Sequence, residues 1–227
     1  MAADQGHPGA QFLIGLLYRN GEGVAQDYQE SAKWFRMAAE QGLAIAQFNI
    51  GNLYQDGQGV PQDCKEAARW YRIAAEHGNN EARTNLGLMY EKGEGVTQNY
   101  NAAVKWYLLA ANQGDTKAQA ILGVKFEMGQ GVTQDYKEAS KWYRLAAEQG
   151  DSAAQYFLGS MCEGGRGVRQ DYTQAHMWFN LCGASGNTDC AKVRDKLANK
   201  MTPDQIAEAQ RLAREWKPKE KASAESK

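Results

Sequence analysis

The chain is short of charge of one sign, of long apolar runs and of histidine, and each shortage removes a class of function. Its 26 Lys and Arg stand against 27 Asp and Glu, a formal net charge of −1. A nucleic-acid-binding surface carries a basic excess, so no nucleic-acid partner is expected. No stretch approaches the roughly 18 consecutive apolar residues of a transmembrane segment. The start, Met1-Ala2-Ala3-Asp4-Gln5-Gly6, lacks the basic residues and apolar core of a secretory leader. His7, His77 and His176 and the 4 cysteines form neither His-Glu-x-x-His nor Cys-x-x-Cys, so no metal site is expected. No serine has a lysine three residues on, which removes the Ser-x-x-Lys nucleophile. With no catalytic constellation and no cofactor motif, the residues point away from an enzyme.

What the chain has instead is repetition. Trp34, Trp70, Trp106, Trp142 and Trp178 each lie 36 residues apart. Gly15, Gly51, Gly87, Gly123 and Gly159 keep the same step, as do the series that begin at Gly21, at Gly23 and at Gly6. These four series hold 21 of the 24 glycines. Glycine here is architectural, and a Gly-x-Gly that recurs five times without a preceding strand is a turn rather than a phosphate loop. A period of this length signals a solenoid.

Each unit reads as two helices. In residues 43–78, Ala46, Ile50 and Tyr54 recur every fourth residue on one face of a helix over 44–55. Gly51 inside it costs about 1 kcal/mol against alanine, which implies that a neighbouring backbone approaches too closely for a Cβ. Gly57 closes the helix in a left-handed cap. Asp63 opens the second helix, with Glu66 three residues on as a capping box. The same pair recurs as Asp27/Glu30, Asp135/Glu138 and Asp171/Gln174, whereas Asn99 has only Ala102. Ala67, Trp70, Tyr71, Ala74 and Ala75 then set large rings against small neighbours. The units run 7–42, 43–78, 79–114, 115–150 and 151–186. Residues 1–6 read as the tail of an earlier unit, so the expectation is a piece of a longer array; the alternative is a native start with a decayed first unit.

Beyond 186 the repeat fades into one helix near 189–200 and another opened by Thr202-Pro203-Asp204-Gln205. Ile206, Ala209, Ala213 and Trp216 form the apolar stripe of that last helix, so 187–216 is expected to cap the array. Residues 217–227 are charged and aperiodic and read as a disordered tail.

The third unit carries Ala82, Leu86, Gly87, Tyr90, Gly93, Gly95, Val96, Tyr100, Ala103, Trp106, Tyr107, Ala110, Ala111 and Gly114. This pattern resembles the Sel-one-like repeat, a relative of the tetratricopeptide repeat, over residues 2–186. The resemblance implies an all-α, α/α solenoid: a right-handed superhelix of five 36-residue helix-turn-helix repeats with C-terminal capping helices. It also implies a protein or peptide partner, bacterial type and export to a periplasm, with an interaction scaffold as the function. An enzyme acting on cell-wall-like substrates, β-lactamase-like, and a passive spacer are the alternatives. Nothing in the sequence sets the oligomeric state.

Alignment with the tetratricopeptide pattern assigns three rows of side chains to the concave face. Phe12, Phe48 and Tyr156 belong to the first, with Thr84 and Ala120. Leu16, Asn52, Leu88 and Val124 belong to the second, with Ser160. Arg19, Gln55, Glu91 and Glu127 belong to the third, with Glu163. Asn49, Asn52 and Asn85 are expected to bond a peptide backbone, and the acidic row to favour a basic segment. The alternative is that the aromatics pack between first helices. A cysteine-rich branch of the family staples repeats at the eight-residue spacing of Cys182 and Cys190, though one position away from here. The resemblance therefore implies a disulfide. The other reading is two buried thiols in place of alanines, such as Ala38 and Ala46.

Overall fold

The computed structural model describes residues 6–219, so the assignments at 1–5 and 220–227 lie outside the described residues. Among these residues there are 12 α-helices and no strand. They are α1 Pro8–Asn20, α2 Tyr28–Glu40, α3 Ala44–Asp56, α4 Cys64–Glu76, α5 Asn80–Lys92 and α6 Tyr100–Ala111, then α7 Thr116–Met128, α8 Tyr136–Glu148, α9 Ser152–Gly164, α10 Tyr172–Ala184, α11 Thr188–Ala198 and α12 Pro203–Glu215. Two compact units divide the chain at Leu109/Ala110. In the first, α1 packs on α2, α2 on α3, α3 on α4 and α4 on α5. In the second, α7 packs on α8, α8 on α9, and α9 on α10, which also carries α11 and α12.

The helices start and stop where the chain's own groups satisfy their ends. Asp27, Asp63 and Asp135 each accept from two backbone N–H groups of the helix that follows. Gly57 ends α3 at φ 68° and donates its N–H to the Leu53 carbonyl. The expected capping boxes at these aspartates are only half formed. The Asp63 N–H donates to the Tyr54 carbonyl at 2.9 Å, across the turn, and Asp27, Asn99, Asp135 and Asp171 do the same to Tyr18, Tyr90, Phe126 and Cys162. With that donor taken, Glu30, Glu66 and Glu138 pair instead with Lys33, Arg69 and Lys141. A complete box forms at Thr202/Gln205.

The helical glycines also need a different account. A Cβ on Gly51 would lie 2.8 Å from the ring of Tyr71, and one on Gly123 would lie 2.4 Å from Tyr143. Phe35, Tyr107 and Phe179 stand over Gly15, Gly87 and Gly159 in the same way. A ring of the second helix, not a backbone, occupies the space. These five rings, each next to the tryptophan landmark, are the largest fully buried side chains. Close backbone approach does occur, but in the turn. A Cβ on Gly59 would fall 2.1 Å from the Tyr28 carbonyl oxygen, at the start of the preceding second helix.

In the second unit, Cys182 and Cys190 join α10 to α11 as a disulfide, with their Cα atoms 5.9 Å apart. Cys162 is buried and unbridged, and burial pushes its thiol up to about 11. Trp216 meets Trp178 edge-on at 6.5 Å and fastens the end of α12 to α10. Lys219 then reaches back to Glu148, through both its backbone N–H and its ammonium group, each at 2.7 Å.

Candidate partner-binding face

In the first unit the anticipated row residues lie on α1, α3 and α5. Phe12 and Phe48 are half-buried and tilt against Phe35 and Tyr71 at 5.5 and 5.8 Å. Each is therefore part wall of the core and part surface. Leu16, Asn52, Asn85 and Leu88 are also half-buried. Asn49 is buried: its Nδ2 donates to the Ile45 carbonyl at 2.7 Å and its Oδ1 accepts from Arg19 at 2.6 Å. That asparagine holds its own helix and the neighbouring one.

The third row is occupied by the fold in a way its sequence does not announce. The Tyr71 hydroxyl lies 2.6 Å from Asn52 Oδ1 and 2.5 Å from Gln55 Oε1, with the Asn85 amide also at hand. The Tyr107 hydroxyl donates to Glu91 at 2.9 Å. Burial drives both phenols well above the ordinary tyrosine range, so they stay protonated donors. Where the ring is Phe35, the row residue is Arg19, whose guanidinium sits 5.9 Å over that ring.

In the second unit the same relation holds. The Tyr143 hydroxyl donates to Glu127 at 2.9 Å, and Arg166 pairs with the same carboxylate at 3.1 Å. Opposite the hydroxyl-free Phe179, Glu163 instead pairs with Lys200 at 3.0 Å. Glu127 and Glu163 are thus neutralised by this chain's own cations rather than held open for a partner's. Val124 and Tyr156 are half-buried, and Tyr156 leans on Phe179 at 5.9 Å.

Other surfaces went unremarked in the sequence. Leu13 and Ile45 are exposed on first helices. A shallow pocket of about 450 Å³ beside α2 is lined by Gln29, Ala32, Lys33, Arg36, Met37, Gly59 and Val60. Another of about 450 Å³, in the second unit, is lined by Arg169, Gln170, Asp171, Tyr172 and Gln205. The first joins a helix to the turn of the next repeat, and the second joins the turn before α10 to α12, juxtapositions that periodicity alone does not display. Among the described residues, no group of His, Cys, Asp and Glu is placed to hold a metal ion, and no helix is long and apolar enough to cross a membrane. His7 caps α1, His77 Nδ1 bonds Gln47 at 2.8 Å, and His176 is buried.

The Sel1 repeat profile matches five consecutive segments, residues 8–43, 44–79, 80–115, 116–151 and 152–187. The chain belongs to the Sel1 repeat family. Two solved Sel1-type structures agree with it closely. One is a protective antigen of uropathogenic Escherichia coli strains with an SLR fold: 37% identity, TM-score 0.84, 94% of this chain and 47% of that one. The present chain thus spans about half the length of that relative. The other is a Sel1 repeat protein from Oxalobacter formigenes: 35% identity, TM-score 0.81, 94% of this chain and 89% of that one. A Sel1 repeat protein from Klebsiella pneumoniae, at 21% identity and TM-score 0.53, shares the fold. Among curated proteins none matches. The fold is the all-α repeat solenoid of this family. Sel1 repeats generally mediate protein–protein interaction and are typically non-enzymatic.

Proposed function

We propose that this Sel1 chain is a scaffold that binds a peptide or protein segment along the first-helix rows, the concave side implied by kinship with tetratricopeptide arrays. One observation carries the reading. The frame positions repeat almost without change, while half-buried row positions change character from helix to helix: Leu16, Asn52 and Leu88 stand at one repeat position. Asn52 also meets the buried Tyr71 hydroxyl, whereas Leu16 and Leu88 are apolar side chains left half-exposed. Leu16 and Leu88 offer apolar contact, and Asn52 and Asn85 offer amides that match a peptide backbone. The helices are already ordered, so little conformational entropy is lost on binding.

The expected partner segment is apolar and amide-recognised rather than strongly basic, because Glu127 and Glu163 already have cations beside them. The test is a crosslinking pull-down from the source cell, comparing the chain with a Leu16→Ala/Leu88→Ala variant of equal helicity. A partner that crosslinks to α1, α3 or α5 and is lost with the variant supports the groove. A partner retained by the variant, or one crosslinked elsewhere, removes it.

A further inference from the structure

The pocket of about 450 Å³ beside α2 belongs to the first unit and shares no residue with the first-helix rows. Its floor is the buried Ala32, at a repeat position that becomes Val104 in α6 and His176 in α10, so a small side chain leaves the space open. One wall is the turn before α4. Gly59 is pressed onto the start of α2, where a Cβ would lie 2.1 Å from the Tyr28 carbonyl oxygen, and this fixes the wall to the helix. Val60 follows it, half-buried. Met37 lines the pocket from α2 and is 44% exposed.

The two cations of the pocket differ in what answers them. Lys33 is paired with Glu30 at 2.6 Å. Arg36 meets a neutral group instead: its guanidinium donates to the Tyr54 hydroxyl and stands 5.8 Å over that ring. Among the described residues no carboxylate pairs with it, the exposed Glu40 one turn along α2 included. A phenol oxygen takes one of the five guanidinium donors and none of the charge. Arg36 is thus held in orientation by Tyr54 while its charge and most of its donors are unused. Glu127 and Glu163, by contrast, each have a cation beside them.

We propose that this pocket is a second docking site, for a peptide segment in which an apolar side chain is flanked by a single acidic one. The apolar side chain packs on Ala32, Met37 and Val60, and the carboxylate accepts a two-point bond from Arg36. Glu30, beside Lys33, disfavours a run of acids, so one carboxylate is the charge that fits. A shallow pocket admits a passing segment, so the carboxylate is that of an internal Asp or Glu rather than of a chain end. The site is independent of the first-helix rows and stands or falls without them.

The test screens the full chain against random peptides displayed between fixed flanking residues. One enriched peptide is then synthesised with both ends capped, and its binding is read by fluorescence anisotropy. The enriched peptides should place Leu, Ile, Met or Phe beside one Asp or Glu. Arg36→Gln, with helicity unchanged by circular dichroism, should weaken binding roughly ten- to a hundredfold. Exchanging the peptide's acid for its amide should cost as much, and the two changes together little more. Met37→Ser should also weaken binding, whereas Leu16→Ala/Leu88→Ala should leave it unchanged. A screen that enriches no such motif, equal binding by Arg36→Gln, or loss with Leu16→Ala/Leu88→Ala would overturn the proposal. So would binding confined to peptides with a free C-terminal carboxylate. Self-association of the chain in sedimentation that Arg36→Gln abolishes would make the occupant a second copy and overturn it equally.

Discussion

Replacing Gly87 by alanine should destabilise the protein, although alanine is the better helix former by about 1 kcal/mol. Gly87 lies in the middle of α5, where a Cβ would sit 2.5 Å from Tyr107 Cε1 and 2.7 Å from Cδ1. The ring is completely buried and its hydroxyl is tied to Glu91 at 2.9 Å, so it cannot retreat without losing that bond. Overpacking of this kind costs about 1–3 kcal/mol, and the strained hydrogen bond about 1 more. Set against the propensity gain, the net loss is about 1–3 kcal/mol, a fall in melting temperature of roughly 3–10 °C. Gly183→Ala is the control. It lies inside α10, its nearest neighbour would be 3.6 Å away, and Ala39, Ala75 and Ala147 hold the same position elsewhere. There the propensity term acts alone, and a gain of about 0.5–1 kcal/mol is expected. Thermal and urea melts followed by circular dichroism read both. If the two substitutions move the midpoint in the same direction, the ring is not what reserves the position for glycine. A Gly87→Ala/Tyr107→Leu pair should lose less than the sum of its parts, because the smaller side chain vacates the contested space.

Three further outcomes follow from individual contacts. Gly59→Ala combines a φ of 70° with a Cβ 2.1 Å from the Tyr28 oxygen, and should lose at least about 3 kcal/mol in urea titrations. Gly23→Ala, with a similar φ of 75° and no neighbour, should lose only about 1–2 kcal/mol. His176 is buried with its Nδ1 unpartnered; burial and then Arg194 lower its pKa, with Asp195 opposing. The unfolded chain therefore binds the proton more readily, and stability falls as pH drops below about 6.5 toward the lowered folded value. Melting temperature should decline between pH 7.5 and 5.5, and His176→Gln should flatten that slope; an unchanged slope would remove His176 as the cause. Reducing the Cys182–Cys190 bridge opens a short loop and should cost about 2.5 kcal/mol, read as a lower melting temperature in the wild type and no change in Cys182→Ala/Cys190→Ala.

Much of the fold was legible because the 36-residue step marks equivalent positions and the caps mark where helices start and stop. Gly57 and Asp63 bracket a turn in any reading of the chain, and α3 and α4 begin and end beside them. What failed were inferences about which neighbour a residue meets. Glu66 looked like half of a capping box because its spacing is right. Its target N–H had already been claimed by the Tyr54 carbonyl, a contact across the turn that spacing does not encode. Gly51, as a helical glycine repeated at every unit, points to a close backbone. The space is filled by Tyr71, a ring twenty residues away in the chain but directly opposite in the helix pair.

The third row illustrates a wider difficulty in reading recognition from variability. Arg19, Gln55, Glu91, Glu127 and Glu163 differ along the chain, which invites the view that they face a partner. The contacts they make instead track the ring beneath them. Tyr71, Tyr107 and Tyr143 present buried hydroxyls and are met by Gln55, Glu91 and Glu127, all acceptors. Phe35 and Phe179 present none, and the row residue turns to Asn49 or Lys200. Part of the variation therefore belongs to the interior, because a buried hydroxyl without an acceptor costs free energy that an exposed one does not. Leu16 and Leu88 have no comparable partner-matching to explain them. An unpaired apolar side chain at the surface is the less ambiguous sign of a binding face, and these are the residues on which the search for a partner should be built.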